Sequence, residues 1–150
     1  MPRVAQFGIA LGVLGIVLTL MGLFPGMTGI EPAAGIGITQ VSAILIGFLL
    51  LILGALIYVK FTFYVLKPAN LAQQIGVRLA MTGLLFAAMA GYADILGFGS
   101  HERGAGGDIF FGGLQAAGII GSFVVASIGV IIYAVTGDLN ADNGNHVQKT

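Results

Sequence analysis

The chain has 150 residues; 57% are hydrophobic, 8% are charged, and the formal net charge is zero. Soluble domains carry roughly 25% charged residues, and a chain this short must expose much of what it carries. Water is therefore excluded as the main solvent and lipid is implied. A neutral chain offers no basic field to nucleic acid, and the absence of cysteine excludes disulfides, thiolate metal sites and thiol redox chemistry.

Four runs reach the roughly 20 apolar residues that cross a bilayer. They are continuous and do not alternate, so they read as helices rather than strands. The first, residues 4–24, stops at Pro25-Gly26. It follows Arg3 as the core of a signal peptide would, but no small-x-small cleavage site comes after it, so it is expected to be a retained helix. The second runs over 39–66 and stops before Pro68. At about 1.5 Å per residue it exceeds a hydrocarbon core of about 30 Å and should tilt or protrude. The third spans 71–96. Asn70 followed by Gln73 is a capping-box pattern that starts it just after Pro68. The fourth spans 109–135 and ends at Gly137, with Asp108 placed to cap it. The expected fold is an all-α antiparallel bundle of four transmembrane helices over 1–136, followed by a polar tail over 137–150.

Basic residues set the orientation. Arg3, Lys60, Lys67, Arg78 and Lys149 fall on one side and Arg103 on the other, which puts both termini in the cytoplasm and implies a bacterial inner (cytoplasmic) membrane. Lys60 and Lys67, beside Phe61, Phe63 and Tyr64, read as anchors among lipid headgroups or simply as topology determinants.

The chain also resembles itself. Shifted by 75 residues, Gln40, Ile44, Phe48, Gly54, Ile57 and Tyr58 fall on Gln115, Ile119, Phe123, Gly129, Ile132 and Tyr133. Shifted by 68, Gly8, Leu11, Gly15 and Met21 fall on Gly76, Leu79, Gly83 and Met89. Biased composition produces some such identities by itself. The alternative is a duplicated helical hairpin, with two copies in one orientation about a pseudo-twofold along the membrane normal.

Candidate polar sites are few. Asp94 is the one acid inside an apolar run, where charge is costly and functional by default. In the repeat it falls opposite Gly26, past the end of the first helix, which places it at the outer interface within reach of Arg103. Arg78 snorkels to the headgroups or pairs with a partner subunit or a lipid phosphate. Gln40 and Gln115, at matched depth, are expected to hydrogen-bond across the bundle. The only histidines, His101 and His146, lie in an outer loop and the tail, so neither is placed to ligate a haem held among the helices. His101, Glu102, Arg103 and Asp108 form a weak candidate for metal binding and read more simply as a solvated loop. No catalytic residue, cofactor site or metal site is expected: no phosphate loop, dinucleotide fingerprint, nucleophile with a base or carboxylate pair is present.

Glycine makes up 25 of the 150 residues. In membrane helices it lets backbones approach closely where packing drives association. Gly8, Gly12 and Gly15 align on the first helix. Gly113, Ala117 and Gly121, and beside them Gly118, Ser122 and Ala126, form two small-xxx-small ladders on the fourth. They serve packing within the bundle or a seam for a neighbouring subunit. The polar tail has no periodicity, so it is expected to be disordered alone and to order against a partner.

In architectural type the four helices resemble the small cofactor-free accessory subunits of bacterial membrane electron-transfer complexes, such as alternative complex III. That resemblance implies a non-catalytic subunit of a respiratory or photosynthetic complex. It would contact other membrane subunits and lipids and border a quinone site without ligating it. The competing reading is a small transporter or channel subunit using Asp94. It needs polar groups at mid-depth, and only Thr19, Thr82, Ser122 and Ser127 stand there. A membrane enzyme acting on lipid or quinone would need buried arginines and glutamates that the runs lack, and a rotary-ring subunit needs a mid-helix carboxylate. Small four-helix disulfide–quinone oxidoreductases need cysteines.

Overall fold

A computed structural model describes residues 2–29, 37–98 and 112–137. These form four helices, α1 (Pro2–Leu23), α2 (Ile38–Phe63), α3 (Leu71–Gly91) and α4 (Gly113–Thr136), with a short 3₁₀ turn at Pro25–Thr28. All four are long and apolar enough to cross a membrane, as the hydropathy of the sequence requires.

The ends follow local chemistry. After α1, Phe24 still donates to the Leu20 carbonyl at 2.8 Å, and Pro25, lacking an N–H, opens the tighter 3₁₀ turn. Asn70 caps α3 as its sequence predicts: its side chain accepts from the Gln73 N–H at 2.7 Å, and Gln73 accepts from the Asn70 N–H at 3.1 Å.

Three ends differ from expectation by three residues or more, the first being that of α2, which finishes at Phe63 rather than residue 66. Regular helix in α3 stops at Gly91 rather than residue 96. One irregular turn follows, with Ala93 donating to the Ala90 carbonyl at 3.4 Å and Leu96 to the Tyr92 carbonyl at 2.9 Å. It closes in a Schellman arrangement: Gly97 at φ 84° donates to Asp94, and Phe98 donates to Ala93. Ile95 and Leu96 keep the hydropathy high through a turn that hydropathy alone does not register. The N-cap of α4 is Gly112, not Asp108; Asp108 lies outside the described residues.

The helices pack as two close pairs, α1 with α2 and α3 with α4, and the pairs touch each other far less. Glycine makes each pair close. A Cβ at Gly15 would stand 2.6 Å from both the Gly47 carbonyl oxygen and the Leu51 nitrogen. Gly8 lies likewise against Gly54 and Tyr58, and Gly22 against Gln40 and Ile44. Contact positions therefore fall along α2 as they climb along α1. In the second pair Gly83 lies against Ser122 and Ala126, and Gly76 against Gly129 and Tyr133.

These contacts repeat at the shifts of 68 and 75 residues. Gly8, Gly54 and Tyr58 become Gly76, Gly129 and Tyr133; Gly15, Gly47 and Leu51 become Gly83, Ser122 and Ala126. The repeat read in the sequence is thus a repeat of backbone contacts. Phe48 and Phe123, equivalent under the 75-residue shift, stack on each other with centroids 4.0 Å apart. The rest of the contact between the pairs does not follow a two-fold: α2 packs beside α3, whereas the equivalent elements, α4 and α1, scarcely touch. Beside Phe48, Val41, Leu45, Ala87 and Ile119 form one buried cluster, and beside Phe123, Ile52, Leu56, Tyr64, Ala80, Ala126 and Tyr133 form another. Outside, the helices present large apolar side chains, such as Phe7, Leu85, Leu114 and Ile131, more than half exposed. That surface suits lipid or protein, not water.

Candidate functional site

The small residues divide into used and unused. Gly8 and Gly15 are buried against α2, and the Gly12 backbone touches Gly54. Gly118 faces Ala90, the Ser122 carbonyl faces Gly83, and Ala126 is fully buried. That ladder serves packing inside the bundle. The neighbouring one does not: Gly113, Ala117 and Gly121 are exposed, and a Cβ at Gly113 or Gly121 would meet no atom within 4 Å. The two ladders therefore look in different directions.

Gln40 and Gln115 do not bridge the bundle. Each accepts from the N–H of a glycine three residues back, Gln40 from Gly37 at 2.8 Å and Gln115 from Gly112 at 2.9 Å. A glycine N-cap has no side chain of its own, so the glutamine supplies the one reciprocal half of the capping box that can form. Their equivalence in the repeat was legible; their partner was local.

A polar network closes the opposite end of the second pair, a feature that motif reading missed. The last carbonyls of a helix have no partner within it. In α4 three side chains from the α2–α3 connection and the start of α3 supply them. The Tyr64 hydroxyl donates to the Ala134 carbonyl, the Gln73 amide to the Tyr133 carbonyl at 3.3 Å, and the Asn70 amide to the Thr136 carbonyl at 2.6 Å. Tyr64 also meets Tyr133 edge-on at 6.2 Å. Asn70 and Gln73 thus cap two helices at once. The available signal was a capping-box pair placed just after a short connection, where a third donor has only α4 to reach.

Asp94 is half-buried in the irregular turn beyond α3, so it lies past a helix end rather than within a span. Arg103, its expected partner, is outside the described residues, as are His101, Glu102, His146, Lys149 and the tail beyond Gly137. Thr19 and Thr82 spend their hydroxyls on the Gly15 and Arg78 carbonyls four residues back, at 2.8 Å each. Among the described residues no three His, Cys, Asp or Glu side chains gather as a metal site would need. Nor, among those residues, does any buried side-chain nitrogen or oxygen lack a partner.

Arg3, Lys60, Lys67 and Arg78 are exposed and share the end at which α1 and α3 begin and α2 and α4 finish. Lys60 and Arg78 stand on facing sides of a groove between α2 and α3, of about 490 Å³. No family model, no curated protein and no solved structure matches the chain. Its function is therefore argued from its own surfaces.

Proposed function

We propose that this chain is a non-catalytic accessory subunit of a larger membrane complex, held as an antiparallel bundle with both termini in the cytoplasm. The observation that supports it is the exposed ladder Gly113, Ala117 and Gly121 on α4. Inside the chain, every close helix pair is built on small residues whose missing side chains admit a neighbouring backbone. The outer ladder offers the same surface with none of the described helices upon it, and close approach is what drives helix association in lipid. The basic residues gathered at one end support the orientation, in an inner membrane. Placement in a respiratory or photosynthetic electron-transfer complex, beside a quinone site it does not ligate, rests on the resemblance in architectural type.

The test is purification of the tagged protein from its native membrane in mild detergent, followed by native electrophoresis and mass spectrometry. The expected result is a large assembly containing other membrane proteins, from which Ala117→Leu with Gly121→Leu releases a still-helical chain. Migration of the wild-type chain alone or as a simple dimer overturns the proposal. A transporter or channel role for Asp94 is the competing proposal. Unchanged ion flux in proteoliposomes carrying Asp94→Ala eliminates it.

A further inference from the structure

The groove between α2 and α3 has the polarity profile of a phospholipid. On α2, Lys60, Ile57 and Leu53 recur at helical spacing and share one stripe. On α3, Gln74, Arg78 and Met81 do the same. All six line the groove. Lys60 stands three residues before the end of α2, and Arg78 seven residues after the start of α3. At about 1.5 Å per residue both lie within about 10 Å of the same end of the bundle. Each stripe then changes from polar to apolar going inward, to Leu53 on one wall and Met81 on the other.

The lining contains two cations and no carboxylate. A guanidinium presents a planar fork that matches phosphate oxygens, and an ammonium beside it adds a point charge. The seam exists because the two helix pairs pack closely within themselves and loosely against each other. Its volume falls in the roughly 300–1,000 Å³ range of pockets that take small molecules.

From this juxtaposition we infer that the groove binds one anionic phospholipid, with its phosphate between Lys60 and Arg78, Gln74 at the headgroup, and an acyl chain along Ile57, Leu53 and Met81. The lipid fills the seam between the two helix pairs. This site stands whether or not the chain is an accessory subunit, because it uses α2 and α3 and not the exposed ladder of α4.

Native mass spectrometry of the full-length protein, titrated with phosphatidylglycerol or with phosphatidylcholine of the same chains, tests it. One phosphatidylglycerol should be retained in preference to phosphatidylcholine. Lys60→Gln with Arg78→Gln should weaken that retention about tenfold or more, as the loss of two headgroup contacts implies. Lys60→Arg should preserve it, and Lys67→Gln, outside the groove, should leave it unchanged. Met81→Trp keeps both charges but fills the apolar part; it should also expel the lipid, so the test survives a double variant that fails to fold. Equal retention of the neutral lipid overturns the inference. So does a loss from Lys67→Gln as large as from the double variant, which would mean diffuse attraction, or displacement of the phospholipid by a short-chain ubiquinone, which would make this a quinone site.

Discussion

The two helix pairs share one packing scheme and differ in how they are closed. In both, backbone meets backbone at equivalent glycines: Gly54 against Gly8 and Gly12, Gly129 against Gly76 and Ala80. Only the second pair has its cation-bearing end tied by side chains, through Tyr64, Asn70 and Gln73. The positions equivalent to Asn70 and Gln73 in the first pair are Pro2 and Ala5, and alanine offers no such donor. Close packing here comes from absent side chains and can be copied with the helices. The polar closure comes from the connection between α2 and α3, which exists once. Among the described residues no side-chain bond ties the cation-bearing end of the first pair, whereas the second is held by shape and hydrogen bonds.

The largest expected effect probes what the pairs share. Gly54→Val and Gly129→Val each place a branched side chain where a Cβ alone would be 2.6 Å or 2.5 Å from a facing backbone nitrogen. Each should cost about 3 kcal/mol, the upper part of the range for overpacking, measured by denaturant unfolding in micelles. Tolerance of one but not the other would break the equivalence. Next comes Asn70→Ala, which removes the cap of α3 and the bond to Thr136. A loss of about 1–2 kcal/mol is expected, with faster hydrogen exchange at the start of α3 and the end of α4 and none in α1. Equal acceleration in α1 would mean that the two pairs unfold as one unit. Tyr64→Phe keeps the ring and removes the bond from the end of α2 to Ala134 of α4, so about 1 kcal/mol should be lost. The smallest effect is expected at Gly121→Ala, where a Cβ meets open space. The isolated chain should change by no more than about 0.5 kcal/mol. A much larger loss there would mean that the ladder is not free in the isolated protein.

The number of helices and the equivalence of the two pairs were legible because hydropathy and glycine spacing carry them directly. Directions of contact were harder. Gly118 and Gly121 sit one turn apart in similar surroundings, yet one faces Ala90 and the other nothing within 4 Å. Sequence spacing groups residues into a stripe without saying which stripe meets a neighbour. Gln115 could be paired with Gln40 by position, but its partner is the amide of Gly112, since a local unsatisfied donor is nearer than anything across the bundle. The groove was legible only in pieces. Lys60 and Arg78 read as separate headgroup residues until the packing of α2 beside α3 set them on one cleft.

The stacked rings of Phe48 and Phe123 carry a consequence for how such a molecule can arise. A side chain that packs on its own counterpart must accept its own likeness, so no lock and key is available to it. Two flat identical faces satisfy that condition without needing an opposite. The same stack could therefore form between two separate hairpins meeting in a membrane.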